Sequence, residues 1–105
     1  MMKVEIVLDE DKIKAEGEYE VDEIKRCVCV PFEEKGLRRL ETGDRTIVFC
    51  DKNRDNDYAW LWRANLILVD EDWFVRYVKK WIWEDEDGQE DVIAGFKKHR
   101  LGAYA

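Results

Sequence analysis

The feature of this sequence that most limits its possible folds is its content of large aromatic side chains: five tryptophans, four tyrosines and four phenylalanines among 105 residues. Charged residues make up 41% of the chain, well above the rough quarter that is typical of globular domains. Disordered chains combine high charge with few aromatic residues, so the aromatic content favours a folded chain. We therefore expect a single domain over residues 1–105, with an aromatic core beneath a highly charged surface.

The balance of acidic and basic residues limits the kinds of molecule that the protein is expected to bind. Acidic residues outnumber basic residues by 25 to 18, which gives a formal net charge of −7. Because nucleic-acid binders use Lys and Arg to displace the counterions of phosphates, direct nucleic-acid binding is not expected. No signal peptide or bilayer-spanning apolar run is recognised, so we expect a cytoplasmic protein without membrane contact. Three cysteines, an odd number, fit reduced thiols in that compartment.

The first third of the chain is predicted to form a hairpin and a helix. Apolar and charged residues alternate over 2–8 and again over 12–16, which predicts a β-hairpin that ends at Gly17. The spacing then becomes helical, and a kinked helix is predicted over 20–35, although Pro31 removes one backbone donor. A short helix followed by a strand stays open as the alternative, because the segment before the proline is strand-like in composition.

A second hairpin and a helix are predicted in the middle of the chain. The segments 37–41 and 45–50 flank Gly43, which supplies the positive φ that a hairpin turn requires. Residues 58–69 are apolar around most of the helical circumference. Such a pattern predicts a central, well-buried helix.

The remaining elements complete an α+β fold. A helix is predicted over 71–83, followed by an acidic loop over 84–90 and a short final helix over 90–99. The core stripe of the first of these helices contains Phe74, Val78, Trp81 and Ile82. The predicted order is ββαββααα, with two β-hairpins forming an antiparallel sheet packed by helices.

The cysteines and the one histidine are the first candidates for chemistry. Cys27, Cys29, Cys50 and His99 are numerically a Cys₃His zinc set, but the paired C-x₂-C knuckles of such sites are missing. On a helix, Cys27 and Cys29 would point about 160° apart. The chain contains no serine and no phosphate-binding glycine loop. We therefore assign no catalytic residue, metal or cofactor, and a small cysteine-dependent enzyme or metal-binding domain remains the alternative.

The tryptophans and the acidic loop are the candidates for binding. Trp60 and Trp62 are two residues apart on one predicted helix, so they cannot both face the same core. Exposed indoles beside arginines have the composition of a protein-binding hot spot. The candidate interface contains two tryptophans and four carboxylates: Trp60, Trp83, Glu84, Asp85, Glu86 and Asp87.

One segment carries a family resemblance. Asp72–Asp85, DWFVRYVKKWIWED, resembles small uncharacterised acidic proteins that are encoded by bacterial mobile elements and phages. In that family a W-F…V-K-x-W-x-W-x-D helix precedes an acidic loop and a short E-D-V/L helix, and Glu90–Ile93 and Gly36-Leu37 fit the same layout. The resemblance implies a bacterial cytosolic protein with a similar fold over most of the chain. It implies no catalytic residues, because the family carries no assigned activity.

The sequence thus predicts a non-enzymatic protein-interaction factor, with an accessory or inhibitory role for a mobile element. The Trp-rich and acidic surface is expected to bind an unidentified protein partner. In one form of this hypothesis, the carboxylates imitate the phosphates of a nucleic acid towards a basic host protein.

Overall fold

A five-stranded antiparallel sheet organises the chain in the computed structural model, which describes residues 2–40, 43 and 45–95. The strand order is β2-β3-β1-β4-β5. The elements in chain order are β1 Lys3–Leu8, α1 Glu10–Glu16, α2 Val21–Glu33, β2 Arg38–Leu40, β3 Thr46–Cys50, α3 Asp57–Val69, α4 Asp72–Tyr77, β4 Val78–Asp85 and β5 Gly88–Asp91. The predicted α+β class is confirmed, but the order is βααββααββ.

The first strand lies at the centre of the sheet, and its alternation sets which face is buried. Val4, Ile6 and Leu8 are buried, whereas the residues between them are half-buried. Val4 lies opposite Phe49 on β3 and opposite Trp83 on β4. Because directly opposed residues share a face, the three central strands present one continuous apolar face.

Helices cover this apolar face through aromatic contacts. Phe32 of α2 stacks on Phe49 with 4.6 Å between the ring centroids. Phe74 of α4 meets Trp81 edge-on at 4.9 Å, and the indole Nε1 of Trp81 donates to Oδ1 of Asn65 on α3 at 3.2 Å. Since buried indoles need an acceptor for their N–H, Asn65 completes the core beneath α3.

The predicted first hairpin is wrong in its second half, because residues 10–16 form helix α1. The side chain of Asp9 caps this helix by accepting a hydrogen bond from the amide of Lys12 at 3.1 Å. Gly17 ends it in the left-handed region with a φ of 67°. Ile13 is its one buried residue. A stretch this short with a single buried residue fits both periods, so the capping residues decide in favour of the helix.

The helix predicted over 20–35 and the second hairpin are both confirmed. Helix α2 runs over Val21–Glu33, and Pro31 lies in its last turn, where the missing donor costs a single backbone bond. The alternative of a short helix followed by a strand is therefore wrong. Strands β2 and β3 pair antiparallel, and Gly43 between them has a φ of 101°.

The long helix predicted over 71–83 is wrong, because α4 ends at Tyr77 and β4 follows. The segment is rich in β-branched and aromatic residues and pairs along β1, so tertiary pairing decides its conformation. Phe74 and Trp81 are buried as predicted. Ile82 is only half-buried, since alternate strand residues point to opposite faces. Val78 is also half-buried, at the start of β4 where the pairing with β1 shifts register between Val7 and Leu8.

The acidic loop predicted over 84–90 is instead the tip of a hairpin. Strands β4 and β5 pair antiparallel, and Gly88 at the turn has a φ of 120°, a conformation that favours glycine. The final helix predicted over 90–99 is wrong at its start, because residues 90 and 91 belong to β5; residues 92–95 are helical, and residues 96–99 lie outside the described residues.

Replacement of Trp81 by Ala should lower the free energy of unfolding by roughly 3–5 kcal/mol, because it leaves a cavity in the core. It also leaves Oδ1 of the buried Asn65 without the indole donor. Val75→Ala is a suitable control, since Val75 is 40% exposed, and it should change the free energy by less than about 0.5 kcal/mol. Urea denaturation measures both variants. Equal effects would contradict a core built on Trp81.

Candidate functional site

Helix α3 buries only one stripe of its circumference. Its fully buried residues repeat at helical spacing: Asp57, Leu61, Ala64, Asn65 and Leu68. This stripe packs towards α2 and the apolar face of the sheet. The predicted limits of the helix are confirmed within one residue, but the prediction that it is buried all round is wrong. A helix in the outer layer of a two-layer fold has only one side to bury.

The opposite side of α3 is exposed and almost entirely apolar. We call it the α3 surface, and it consists of Tyr58, Ala59, Arg63, Leu66 and Ile67. Tyr58 is 54% exposed, Leu66 is 43% exposed and Ile67 is 46% exposed. No helix in the described part of the chain is long and apolar enough to cross a membrane. Contiguous exposed apolar residues on a folded domain are typical of interaction sites.

Two rows of side chains run along this side of the helix. Tyr58 and Leu66 belong to one row, with the half-buried Trp62 between them. Ala59, Arg63 and Ile67 form the second row. Residues four apart lie above one another on a helix, so each row is a ridge and the space between the rows is a shallow groove. At 1.5 Å per residue, each ridge is about 12 Å long.

Trp83 packs between the sheet and the first ridge of α3. Its ring meets that of Tyr58 edge-on at 5.6 Å and that of Trp62 at 5.3 Å between centroids. Trp83 is only 4% exposed, so the expectation that it is an exposed anchor is wrong. The residue lies on a strand that faces α3, not on a helix, and its indole is therefore covered.

Trp60 lies on the other side of α3, about 160° around the helix from Trp62. It is half-buried beneath two cations. The Nζ of Lys35 is 5.7 Å from its ring centroid, and the guanidinium carbon of Arg54 is 5.4 Å away. Trp60 and Trp83 therefore do not belong to one patch, although the sequence places both in a single candidate interface.

Half of the predicted acidic residues are engaged within the chain. Glu84 pairs with Lys3 at 2.8 Å, and this contact lowers the pKa of Glu84. Asp85 accepts a hydrogen bond from the indole of Trp83 at 3.0 Å, which lowers the pKa of Asp85. The other two carboxylates are exposed at the turn: Glu86 and Asp87. Because two of the four carboxylates already have partners within the chain, the hypothesis that all four imitate nucleic-acid phosphates has less support.

A second set of carboxylates lies at the two ends of α3 and on strand β5. Asp55 precedes the helix, and Asp70, Glu71 and Asp72 follow it. Glu90 lies opposite Trp83 in the sheet, on the side that carries α3. All five are exposed. We call them the acidic rim.

A buried carboxylate fixes the start of α3. Asp57 is fully buried and accepts hydrogen bonds from the amide of Lys52 at 2.6 Å and from Nε of Arg54 at 2.8 Å. Burial alone would raise the pKa of Asp57, but these bonds outweigh it and hold the pKa below its usual value. Arg54 also donates to the carbonyls of Lys35 and Gly36 at 2.9 and 3.3 Å. The beginning of α3 is thereby tied to the end of α2.

The cysteines are dispersed. Cys27 is exposed on α2, whereas Cys29 and Cys50 are buried, and all three are free. Burial raises the pKa of Cys29 and of Cys50, so both thiols stay protonated at neutral pH. Within residues 2–40, 43 and 45–95, no three His, Cys, Asp or Glu side chains are grouped so that they could hold a metal ion. His99 lies outside the described residues.

The residues of the α3 surface are absent from the interface predicted by sequence. From the sequence alone, a helix that is apolar around its whole circumference is expected to be buried. That expectation places three of these residues in the core: Tyr58, Leu66 and Ile67. No local signal identifies them, because the stripe of α3 that packs in the core includes the polar Asp57 and Asn65. The remaining apolar positions have no second layer to cover them.

Replacement of Asp57 by Asn should destabilise the protein at neutral pH by about 1.5–3 kcal/mol, the usual contribution of hydrogen bonds to a charged group. Because folding lowers the pKa of Asp57, its charge stabilises the fold above the unfolded-state value of about 3.9. That contribution disappears as the pH falls through the lower folded-state pKa.

Urea denaturation of wild type and variant at neutral pH and near pH 3 checks this expectation, with Asp22→Asn on the exposed side of α2 as control. The difference between wild type and Asp57→Asn should shrink at the lower pH. A difference that is the same at both values would contradict the role of the Asp57 charge.

Comparisons of the chain with protein-family models, with curated proteins and with solved structures find no match. The resemblance to small acidic proteins of mobile elements therefore stays an expectation from the sequence. The function of the α3 surface has to be inferred from its own geometry and charge.

Proposed function

We propose that the protein is a non-enzymatic protein-binding module that docks a partner protein on the α3 surface. The observation that carries this proposal is the exposure of three large apolar side chains on the outer half of α3, with Leu66 near its middle and Tyr58 and Ile67 at its two edges. Full burial of an exposed apolar side chain contributes about 1.5–3 kcal/mol, and these three are still about half-exposed, so covering them supplies part of that free energy for association. Tyr58 adds an aromatic ring with a polar tip, which is a common anchor at protein interfaces.

The rigidity of α3 supports the same function. Asp57 and Arg54 fix its amino-terminal end, and Asn65 joins its buried side to Trp81. Trp83 packs beneath Tyr58. A surface that is held in place before binding loses little conformational entropy when the partner docks. The ridges of the α3 surface are therefore suited to recognition without rearrangement.

The wider hypothesis of an accessory or inhibitory factor in a bacterial cytosol belongs to this proposal and rests on the sequence resemblance. The cysteine-dependent alternative has less support, because Cys29 and Cys50 are buried and their thiols are protonated at neutral pH. Binding at the α3 surface needs none of these thiols.

A double variant, Leu66→Glu with Ile67→Glu, tests the proposal by placing two charges on the α3 surface. Val30→Glu is the matched control, because Val30 is 44% exposed on α2 and Leu66 is 43% exposed on α3. Each tagged protein is incubated with an extract of the cells that produce the chain, and captured proteins are quantified by mass spectrometry. All three should have similar melting temperatures, since exposed positions tolerate charge.

We expect at least one protein to be captured equally by the wild type and by Val30→Glu. The double variant should retain about tenfold less of it, which corresponds to a loss of about 1.4 kcal/mol. Capture profiles that are identical for all three baits would contradict a docking role for the α3 surface.

A further inference from the structure

We infer that the partner segment seated on the α3 surface is a basic amphipathic helix, an inference that rests on the proposed protein-binding function. It joins three features of the described residues. They are the two-ridge shape of the α3 surface, its apolar character and the acidic rim at its ends and beside β5.

The shape of the surface favours a helix as the occupant. The rows Tyr58–Leu66 and Ala59–Ile67 are both i±4 ridges with a groove between them. The i±4 ridge of a second helix fits such a groove, which is the commonest mode of helix packing. The edge strands offer little for strand addition, because β2 has three residues and β5 is the charged tetrapeptide Gly88–Asp91.

The rim sets the charge of that helix. Five exposed carboxylates lie beyond the two ends of α3 and on β5: Asp55, Asp70, Glu71, Asp72 and Glu90. The edge next to Trp60 instead carries the cations Lys35 and Arg54. Within the α3 surface itself, Arg63 is the one charged residue, and its aliphatic stem can pack while the guanidinium reaches the edge. A helix with an apolar stripe flanked by Lys and Arg matches this arrangement, since its cations meet the rim while its apolar side chains enter the groove.

The same charges disfavour a second copy of the chain as the occupant. In an antiparallel α3–α3 pair, Asp70 and Asp72 of one copy would approach Asp55 of the other. The two Arg63 guanidiniums would also meet near the two-fold axis. Each copy carries a net charge of −7, which adds long-range repulsion.

Three synthetic peptides of about 18 residues, long enough to cover the roughly 20 Å of α3, test the inference. One is an amphipathic helix of Leu and Lys, the second has Glu in place of Lys, and the third is the Leu–Lys peptide with its residues scrambled. Calorimetric titration should show that the Leu–Lys helix binds at least about tenfold more tightly than either other peptide. Its affinity should fall between about 50 and 300 mM NaCl, as rim charges are screened.

Matched variants locate the binding. Leu66→Glu with Ile67→Glu should weaken the Leu–Lys peptide by about tenfold or more, although it makes the protein more acidic, because apolar docking is lost. Val30→Glu should bind like the wild type. Asp70→Asn with Asp72→Asn should weaken binding severalfold at low salt. Asp22→Asn with Glu23→Gln, which removes the same two charges from the exposed side of α2, should leave it unchanged.

Several results would overturn the inference. Equal affinity for the Lys and Glu peptides would exclude a basic partner, and equal losses in the two neutralised pairs would show non-specific attraction. A dimer of the wild type in sedimentation that Leu66→Glu with Ile67→Glu abolishes would identify a second copy as the occupant. If capture from the extract depends on the α3 surface but peptide binding does not, only this inference fails. If neither depends on it, the proposed function fails as well.

Discussion

The antiparallel pairing of β1 with β4 is the interaction on which the rest of the structure depends. It aligns Val4 with Trp83 and Ile6 with Trp81, so both indoles lie on the face of the sheet that the helices cover. Trp81 then bonds Asn65, and Trp83 packs against Tyr58 and Trp62 of the same helix. Two residues of one strand thereby help to set the position and rotation of α3, together with the bonds of Asp57 and Arg54 at its start.

This arrangement explains why an apolar helix face stays exposed. The sheet offers α3 one apolar face, and the stripe from Asp57 to Leu68 already fills it. No described element lies over the opposite side of the helix, where Leu66 and Ile67 remain open to solvent. Exposed apolar area forgoes the free energy that burial would contribute. The exposed apolar area on a rigid helix is consistent with a docking function. The acidic rim favours a partner that carries positive charge.

The elements that the sequence predicts correctly are those whose local signals agree. Strand β1 alternates cleanly, the hairpin around Gly43 carries its turn residue, α2 keeps the helical period over thirteen residues, and α3 is an apolar run too long for a typical strand. The errors fall where one segment fits both periods. Residues 10–16 and 78–83 are examples, and capping by Asp9 in the first case and pairing with β1 in the second decide the outcome. Such pairing connects residues far apart in the chain, so local periodicity cannot reveal it.

The candidate site was less accessible to prediction, because exposure depends on how a helix is rotated against the sheet. Tryptophan content directs attention to Trp60 and Trp83, yet one lies beneath Lys35 and Arg54 and the other is buried. The most direct test of a docking surface on α3 is to follow backbone amide shifts of the isotope-labelled protein during titration with the Leu–Lys peptide. We predict that the largest changes lie along the α3 surface and the acidic rim. Changes centred on the turn at Glu86 or on the outer face of the sheet would contradict it.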